Sequence, residues 1–578
     1  MQNYRYILAI ALTLAVILGW NYIAEPLGLI PPKETTQNVN TSQANASAPV
    51  LVTEQGVENA NLAQPLQLTQ AQELPKGKLI EVKTPLYSAQ FNATGGILTS
   101  FNLNKYTQTL EDKNPFAMVT EQAAVTAPMG LLLNESPTWI IGQWESKSEN
   151  LNLEGSNQGM ISFTWEYSGI KLVRELHFKA DDYLIEEKIR LENMGTQAVA
   201  FSLGYTMKTA ALTNPDEKYN ATEIGFLSPS DSFNHEADLE DLNIGLQEEA
   251  VRWGSIQSNF FMAAVIPSAE SSMKAQFKDG VYRIALNTPQ LTLNTTQPLE
   301  LSSKYYFGPK KKDTLAVANA DLDAAMYKYF KFIAEPMIMF LSFLYKYLGN
   351  YGLAIIALTL IIKVILWPLS RKSYKSMEKM RQLQPMIKKI QEKHKDDKQQ
   401  ASAETMRLYK TYKVNPAGGC LPMLMQIPIF IGLYQGLLNA VELRHAPFIT
   451  YLPFTHKIWL ADLSAMDPFY ITPIVMGASM FLTQKMSPPM GDPTQAKVMM
   501  FMPVIFTFLF INFPSGLVVY WLVNNVFSLG QQWFTMRKKK VKGQSVTETI
   551  DVAPEASNAQ PPAKNAVKKT KKKTESPS

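Results

Sequence analysis

The 578-residue sequence has little of the chemistry that enzymes and disulfide-bonded proteins use. Cys420 is its one cysteine, so an intrachain disulfide is excluded. None of its five histidines lies within a long apolar segment, and no Asp or Glu does except Asp467 at the edge of one. The sequence contains neither a phosphate-binding P-loop motif nor an HExxH zinc motif. We therefore expect no enzymatic activity, no metal and no cofactor.

Long apolar segments are present at the N-terminus and beyond residue 350, with a polar region between them. Tyr6–Ile23 follows Arg5 and contains the interfacial residues Trp20 and Tyr22, which favours a transmembrane anchor at 1–24 over a cleaved signal peptide. Residues 25–75 are rich in Gln, Asn, Ala, Thr and Pro, a composition typical of a disordered linker.

Strand patterns dominate residues 76–320. Ile161, Phe163, Trp165 and Tyr167 alternate with other residues, and the turn dipeptide Ser168-Gly169 follows them. Many short strands of this kind predict an antiparallel β-sandwich domain.

The rest of the chain predicts helices. Residues 326–347 combine many aromatic residues with lysines and Pro336, as in an amphipathic helix lying at the membrane interface. Apolar composition predicts five further spans at 350–370, 416–440, 468–486, 497–513 and 515–533. Between and after them we expect a helical hairpin at 371–415, a loop at 441–467 and a basic tail at 534–578.

The distribution of charge predicts the topology. Residues 371–413 carry 13 Lys/Arg and 5 Asp/Glu, and residues 537–578 carry 11 and 4, whereas the loop 441–467 carries 2 and 3. Because basic loops remain in the cytoplasm, the hairpin, the tail and both termini are expected there, with the β domain on the opposite, periplasmic side.

Lys363 is the one charged residue in the run Leu353–Trp367. A lone cation near the middle of a bilayer costs about 2.5–3.5 kcal/mol on insertion scales, so we expect water or substrate to reach it. Thr359 lies one helical turn away on the same face, Gln426 lies early in the next span, and Tyr520, Asn524, Ser528 and Gln531 form a stripe on the last. Each polar residue could serve packing alone, but together they favour the wall of a hydrated groove.

Several motifs make the family recognisable. The sequence reads VNPAGGCLPMLMQIPIF from Val414, VELRHAP from Val441 and SGLVVYW from Ser515, and WPLS follows Lys363. It closely resembles the YidC/Oxa/Albino family of membrane insertases in its Gram-negative form. The resemblance implies a multi-domain membrane protein, with an α-helical bundle of five conserved spans, an N-terminal anchor span and a large periplasmic all-β supersandwich domain.

The resemblance also implies a function: insertion and folding of nascent inner-membrane proteins, alone or with the Sec translocon. The groove residues it implies are Lys363, Thr359, Gln426, Phe430, Tyr520, Trp521 and Asn524. Lys363 stands where Gram-negative members usually have Arg, and lysine keeps the charge but loses the planar fork.

Other partners follow from charge and from the family. Arg537, Lys538, Lys539, Lys540, Lys568 and Lys569 are suited to ribosomal RNA or anionic lipid, although topology control would explain them equally well. The cytoplasmic hairpin is a candidate contact for signal-recognition-particle components. A small-anion transporter or channel and a non-translocating assembly scaffold remain alternatives, although no internal repeat supports a transporter.

Overall fold

A computed structural model describes residues 76–213, 219–327, 330–395, 397–414, 421–486 and 493–540. All of them belong to one compact unit, Val57–Ser578. The predicted anchor at 1–24, the linker at 25–75 up to its last residue, and the tail beyond residue 540 lie outside the described residues.

The first strand begins at Leu79, within the region 76–320 in which the sequence predicts strands. Their bounds are β1 Leu79–Lys83, β2 Tyr87–Asn92, β3 Ile97–Thr107, β4 Pro115–Val119, β5 Leu131–Leu133, β6 Ser136–Pro137, β7 Gln143–Glu145, β8 Leu151–Asn152, β9 Gln158–Tyr167, β10 Ile170–Lys179, β11 Leu184–Asn193, β12 Val199–Phe201, β13 Leu203–Ala210, β14 Glu223–Leu227, β15 Phe233–Glu236, β16 Leu246–Val251, β17 Trp253–Gln257, β18 Phe261–Pro267, β19 Ser271–Lys278, β20 Val281–Asn287, β21 Leu291–Leu293, β22 Leu299–Pro309, β23 Ile449–Tyr451 and β24 Ile458–Leu460.

Three large sheets and the two-stranded sheet β12-β21 build the β domain around a shared hydrophobic core. The largest has nine strands in the order β15-β14-β17-β18-β22-β11-β10-β9-β7, the second has six in the order β16-β19-β20-β13-β5-β6, and the third has five in the order β4-β3-β2-β1-β8. On β9, Ile161, Phe163 and Trp165 are fully buried, because alternate side chains point to one face. Ser168 and Gly169 both have positive φ, at 46° and 76°, and form the two-residue turn to β10.

The helices are shorter or longer than the apolar segments that predicted them. Their bounds are α1 Glu121–Ala124, α2 Leu239–Ile244, α3 Lys312–Ala316, α4 Lys331–Leu348, α5 Tyr351–Ile365, α6 Trp367–Lys393, α7 Lys398–Thr411, α8 Leu421–Asn439, α9 Ile471–Met486, α10 Pro493–Phe510 and α11 Ser515–Lys540, with 3₁₀ turns at Leu322–Ala325 and Val441–Leu443.

The span predicted at 350–370 is broken. Helix α5 ends at Ile365, and α6 begins at Trp367 with Pro368 in its first turn. Proline has no N–H to donate to the preceding turn, so the helix stops and restarts here. Among the described residues no helix alone combines the length and apolarity needed to cross a bilayer, and α5 with α6 does so only as a pair bent by 64°.

Several other helix boundaries also differ from the sequence prediction. The interfacial helix begins at Lys331 rather than at residue 326, because Phe330 adopts a left-handed conformation and Met326 is buried in the β-domain core. Helix α10 starts at Pro493 instead of 497 and ends at Phe510 instead of 513. Helix α11 continues to Lys540, seven residues beyond the predicted end at 533, since Arg and Lys are good helix formers.

Candidate substrate groove in the helical bundle

Lys363 lies in the last turn of α5, beside the break, rather than in the middle of a longer span. Its side chain is buried, with 4 % exposed, and its ammonium group donates to the hydroxyl of Ser528 on α11 at 2.8 Å. Among the described residues no carboxylate lies within ion-pair distance of it. The ammonium group is therefore held by a neutral hydroxyl rather than by a carboxylate.

Ser528 connects three elements. Its hydroxyl also donates to the backbone carbonyl of Asn524 at 2.7 Å, within α11. The Tyr374 side chain on α6 lies close to Ser528. The sequence placed Ser528 in the polar stripe but did not single it out as the direct partner of Lys363.

Thr359 is close to Lys363 in sequence but has a different role in the structure. It is 1 % exposed, and its hydroxyl donates to the carbonyl of Ile355 at 2.6 Å, one turn earlier in α5. Its proton is thus used within its own helix, and the residue lies against the bundle core.

The predicted groove residues of α8 and α11 meet through aromatic rings. Phe430 contacts Trp521 edge-to-face, with centroids 4.5 Å apart, and Phe510 of α10 lies 5.1 Å from the same indole. Tyr520 is buried, and Gln426 is half-buried one turn before Phe430. These rings form an apolar region of the bundle, and Lys363 with Ser528 forms a polar one.

Two buried side-chain nitrogen atoms of α11 lie near the predicted groove, and the sequence selected the residue of only one of them, Trp521. The Trp521 indole nitrogen and the Asn525 side-chain nitrogen have no hydrogen-bond partner among the described residues. Asn524, which the stripe pattern selected, instead contributes its backbone carbonyl to Ser528. No sequence signal distinguishes these adjacent asparagines, because both fall near the same helical face.

The opposite end of α11 is closed by the loop between α8 and α9. The backbone N–H groups of Ser515 and Gly516 donate to the carbonyls of Ala465 and Leu463, at 2.7 and 2.9 Å. Asp467, 1 % exposed, accepts from the Trp459 indole at 2.8 Å and from Thr472 at the start of α9. This carboxylate is satisfied by capping and lies away from the lysine in sequence and in contacts.

The predicted basic contacts are only partly within the described chain. The last turn of α11 consists of Arg537, Lys538, Lys539 and Lys540. Lys568 and Lys569 lie outside the described residues.

Comparison with known proteins supports this two-part architecture. The family model of the YidC periplasmic domain matches residues 79–340, and that of the 60Kd inner membrane protein matches residues 343–543. Together they cover the β domain and the helical bundle, which defines an inner-membrane protein with a periplasmic domain.

Curated relatives match nearly the whole chain. The "Membrane protein insertase YidC" of Oleidesulfovibrio alaskensis is 48% identical over 550 residues, covering 93% of this chain and 100% of the relative. That of Nitratidesulfovibrio vulgaris is 47% identical over 544 residues, with the same coverage. A solved structure titled "Active YidC insertase crystal structure with the first transmembrane domain resolved" covers 81% of this chain and 96% of its own, at 20% identity and a TM-score of 0.35.

The chain belongs to the YidC family of membrane protein insertases. The resemblance stated from the motifs is confirmed, and so is the expectation that the protein is an insertase and not an enzyme.

Proposed function

We propose that this chain inserts and folds nascent inner-membrane proteins through a groove open to the cytoplasm, with Lys363 as its charged centre. The observation that carries the proposal is the pairing of a buried ammonium group with one hydroxyl, that of Ser528. A structural charge would be expected to have a carboxylate partner, because an uncompensated buried charge is costly.

The length of α5 supports a short polar path. Its 15 residues span about 22 Å, less than the roughly 30 Å hydrocarbon core, so the bilayer is expected to thin around it. Lys363 lies at the end of α5 that leads into the basic hairpin of α6 and α7. By the positive-inside rule that end faces the cytoplasm, from which a client arrives.

A client's polar segment would exchange Ser528 for one of its own carboxylates at Lys363. That replaces a hydrogen bond from the ammonium group to a neutral hydroxyl by one to a carboxylate, in which both partners are charged. The client's apolar helix then partitions into lipid beside α8 and α10, and the membrane potential adds about 2.3 kcal/mol per acidic charge moved outward at 100 mV. Phe430, Tyr520 and Trp521 form the apolar end of the route, with Gln426, Thr359 and Asn524 along its walls.

The proposed topology has six spans, the N-terminal anchor and those containing α5, α8, α9, α10 and α11, with both termini in the cytoplasm. The Sec translocon, signal-recognition-particle components at the hairpin, and the ribosome or anionic lipid at Arg537–Lys540 and Lys568–Lys569 are proposed partners. Deleting residues 541–578 and measuring ribosome co-sedimentation tests the last of these.

Reconstitution tests the central proposal. Wild type, Lys363→Arg and Lys363→Ala are placed in liposomes, and insertion of a single-span client with an acidic translocated tail is compared with its Asp-to-Asn version. We expect Lys363→Arg to insert both clients and Lys363→Ala to lose selectively the acidic one. Full activity of Lys363→Ala on the acidic client contradicts the attractor role, and solute flux without insertion favours a transporter.

A further inference from the structure

The segment that follows α8 lies against the β domain as well as against the membrane bundle. Val441 is 2 % exposed and belongs to the hydrophobic core of the β domain. Glu442 forms an ion pair with Lys311, just after β22, at 3.1 Å. The VELRHAP motif, which identified the family without a physical role, is therefore an interdomain contact.

Arg444 makes the most specific of these contacts. One terminal nitrogen of its guanidinium donates to the carbonyl of Thr107 at 2.6 Å, and the other donates to that of Gln108 at 2.8 Å. The guanidinium carbon also lies 5.3 Å from the ring centres of both Phe116 and Phe261. Two parallel donors and a flat face against aromatic rings are properties of Arg that Lys lacks. We call these contacts of Arg444 with the end of β3 the Arg444 clasp.

A neighbouring contact continues the clasp. The Nδ1 atom of His445 lies 3.2 Å from the Thr107 hydroxyl, and its Nε2 lies 3.8 Å from the Asp462 carboxylate in the loop that closes the end of α11. Burial and the adjacent Arg444 lower the pKa of His445. The end of β3 is thus joined to both sides of the loop.

The β domain also reaches α8 from a second direction. Helix α4, which follows the β domain, packs closely on α8 at two glycines: a Cβ on Gly432 would lie 2.8 Å from Ile333, and one on Gly436 would lie 2.8 Å from Ile338. Small residues four apart allow this approach of two helix backbones. Lys331 in the first turn of α4 pairs with Asp323 of the β domain at 2.6 Å.

We infer that the Arg444 clasp fixes the β domain to the periplasmic end of α8, and that this attachment sets the position of α8 in the groove wall. Helix α8 carries Phe430, which contacts Trp521, and Gln426 one turn before it. Arg444 is thus a positioning residue, and only this last step, from α8 to the groove, depends on the proposed function.

The test uses the full chain in nanodiscs and needs no client. Hydrogen exchange is measured in wild type, Arg444→Ala and Arg444→Lys, with Arg190→Ala on the exposed face of β11 as the matched control. Loss of charge-assisted bonds to two carbonyls predicts about tenfold faster exchange in Arg444→Ala at the end of β3 and at 437–445. Arg444→Lys is expected to fall between, and exchange in β9 and β10 is expected to stay unchanged.

A second readout follows the position of α8. In a Cys420→Ser background, Gln426→Cys is labelled with a water-soluble maleimide. We expect Arg444→Ala to change the labelling rate at least about threefold, which corresponds to part of the free energy of the lost hydrogen bonds. Unchanged exchange in Arg444→Ala, or changed exchange with unchanged labelling, overturns the inference. Complete rescue by lysine contradicts the role of the two-pronged contact. If Arg444→Ala fails to fold, Arg444→Lys gives the same test at smaller amplitude. None of these results bears on the separate prediction that Lys363→Ala fails to insert acidic clients.

Discussion

The β domain and the helical bundle each bury a cation, and they treat it differently. Arg174 on β10 is fully buried and bonds through Nε to Glu187 on β11 at 2.5 Å. Ser303 donates to the second oxygen of the same carboxylate, and Gly96 accepts from the guanidinium through its carbonyl. Lys363 is almost as buried, but among the described residues its ammonium group has one hydrogen-bond partner, the hydroxyl of Ser528. We expect a cation needed only for structure to be neutralised where it lies, as Arg174 is, and a cation kept for clients, as proposed for Lys363, to remain exchangeable.

A third cation, Lys208 on β13, shows another solution. It lies directly opposite Arg283 in the β13–β20 pairing and is covered by Trp139, whose ring centre is 5.3 Å away. Burial, and then Arg283, lower its pKa to about 7. Here burial favours the neutral form of the lysine, instead of a carboxylate neutralising its charge.

The largest expected effect breaks the pair in the β domain. Glu187→Gln leaves Arg174 buried without a carboxylate, and we expect the free energy of unfolding to fall by about 3–5 kcal/mol. Arg174→Met with Glu187→Leu removes both charges and should recover most of that loss. Denaturant unfolding followed by tryptophan fluorescence measures both, with the exposed Arg190→Met as the control. Equal loss in the single and double variants would contradict this account.

Lys208 is expected to make the free energy of unfolding of the β domain depend on pH. Between pH 7 and the ordinary pKa of 10.5, the unfolded chain carries a proton on this lysine that the folded domain lacks. The free energy of unfolding should therefore fall as the pH falls from about 10.5 to 7 and show no further dependence on Lys208 below that. Unfolding of wild type and Lys208→Met across this range isolates the contribution. A Lys208→Met curve with the same slope as wild type would show that the lysine is not its source.

Removing Lys363 should stabilise the helical bundle, whereas removing one member of a buried charge pair should destabilise the β domain. Lys363→Met replaces an ammonium group by an apolar chain of similar length, and we expect the bundle to gain about 1–3 kcal/mol, somewhat less than the insertion-scale cost of the charge. Loss of helical circular dichroism during titration with SDS measures this, with Lys346→Met, on α4, as the control. Destabilisation by Lys363→Met would mean that the lysine has a structural role like that of Arg174.

The smallest effect separates the hydroxyl from the charge. Ser528→Ala removes the resting partner of Lys363, whereas Ser528→Thr keeps a hydroxyl there. We expect Ser528→Ala to change the preference for acidic over neutral clients by about three- to tenfold, the range that the net free energy of a typical hydrogen bond represents, and Ser528→Thr to preserve it. Insertion of the paired Asp and Asn clients gives the ratio. Equal ratios in all three proteins would exclude exchange at Ser528.

Local patterns predicted many elements because they depend on periodicity. Alternation located β9 and its turn at Ser168, and helical spacing placed Lys363 and Thr359 on adjacent turns of one helix. Boundaries were less predictable. The break at Leu366 depends on Pro368, which hydropathy does not register, and the buried carboxylate of Glu187 resembles any solvent-facing strand residue in sequence.

The sequence by itself determined the class of this protein: a β domain followed by apolar helices, with one lysine in the apolar run 353–367, in an order and with motifs that identify the family. Tertiary structure alone decided that Lys363 meets Ser528, 165 residues away, that Thr359 bonds within its own helix, and that Arg444 joins the β domain to α8. Periodicity is a property of neighbouring residues and can be read along the chain. The partner of a buried polar group depends on how distant elements pack, which the chain settles only when it folds.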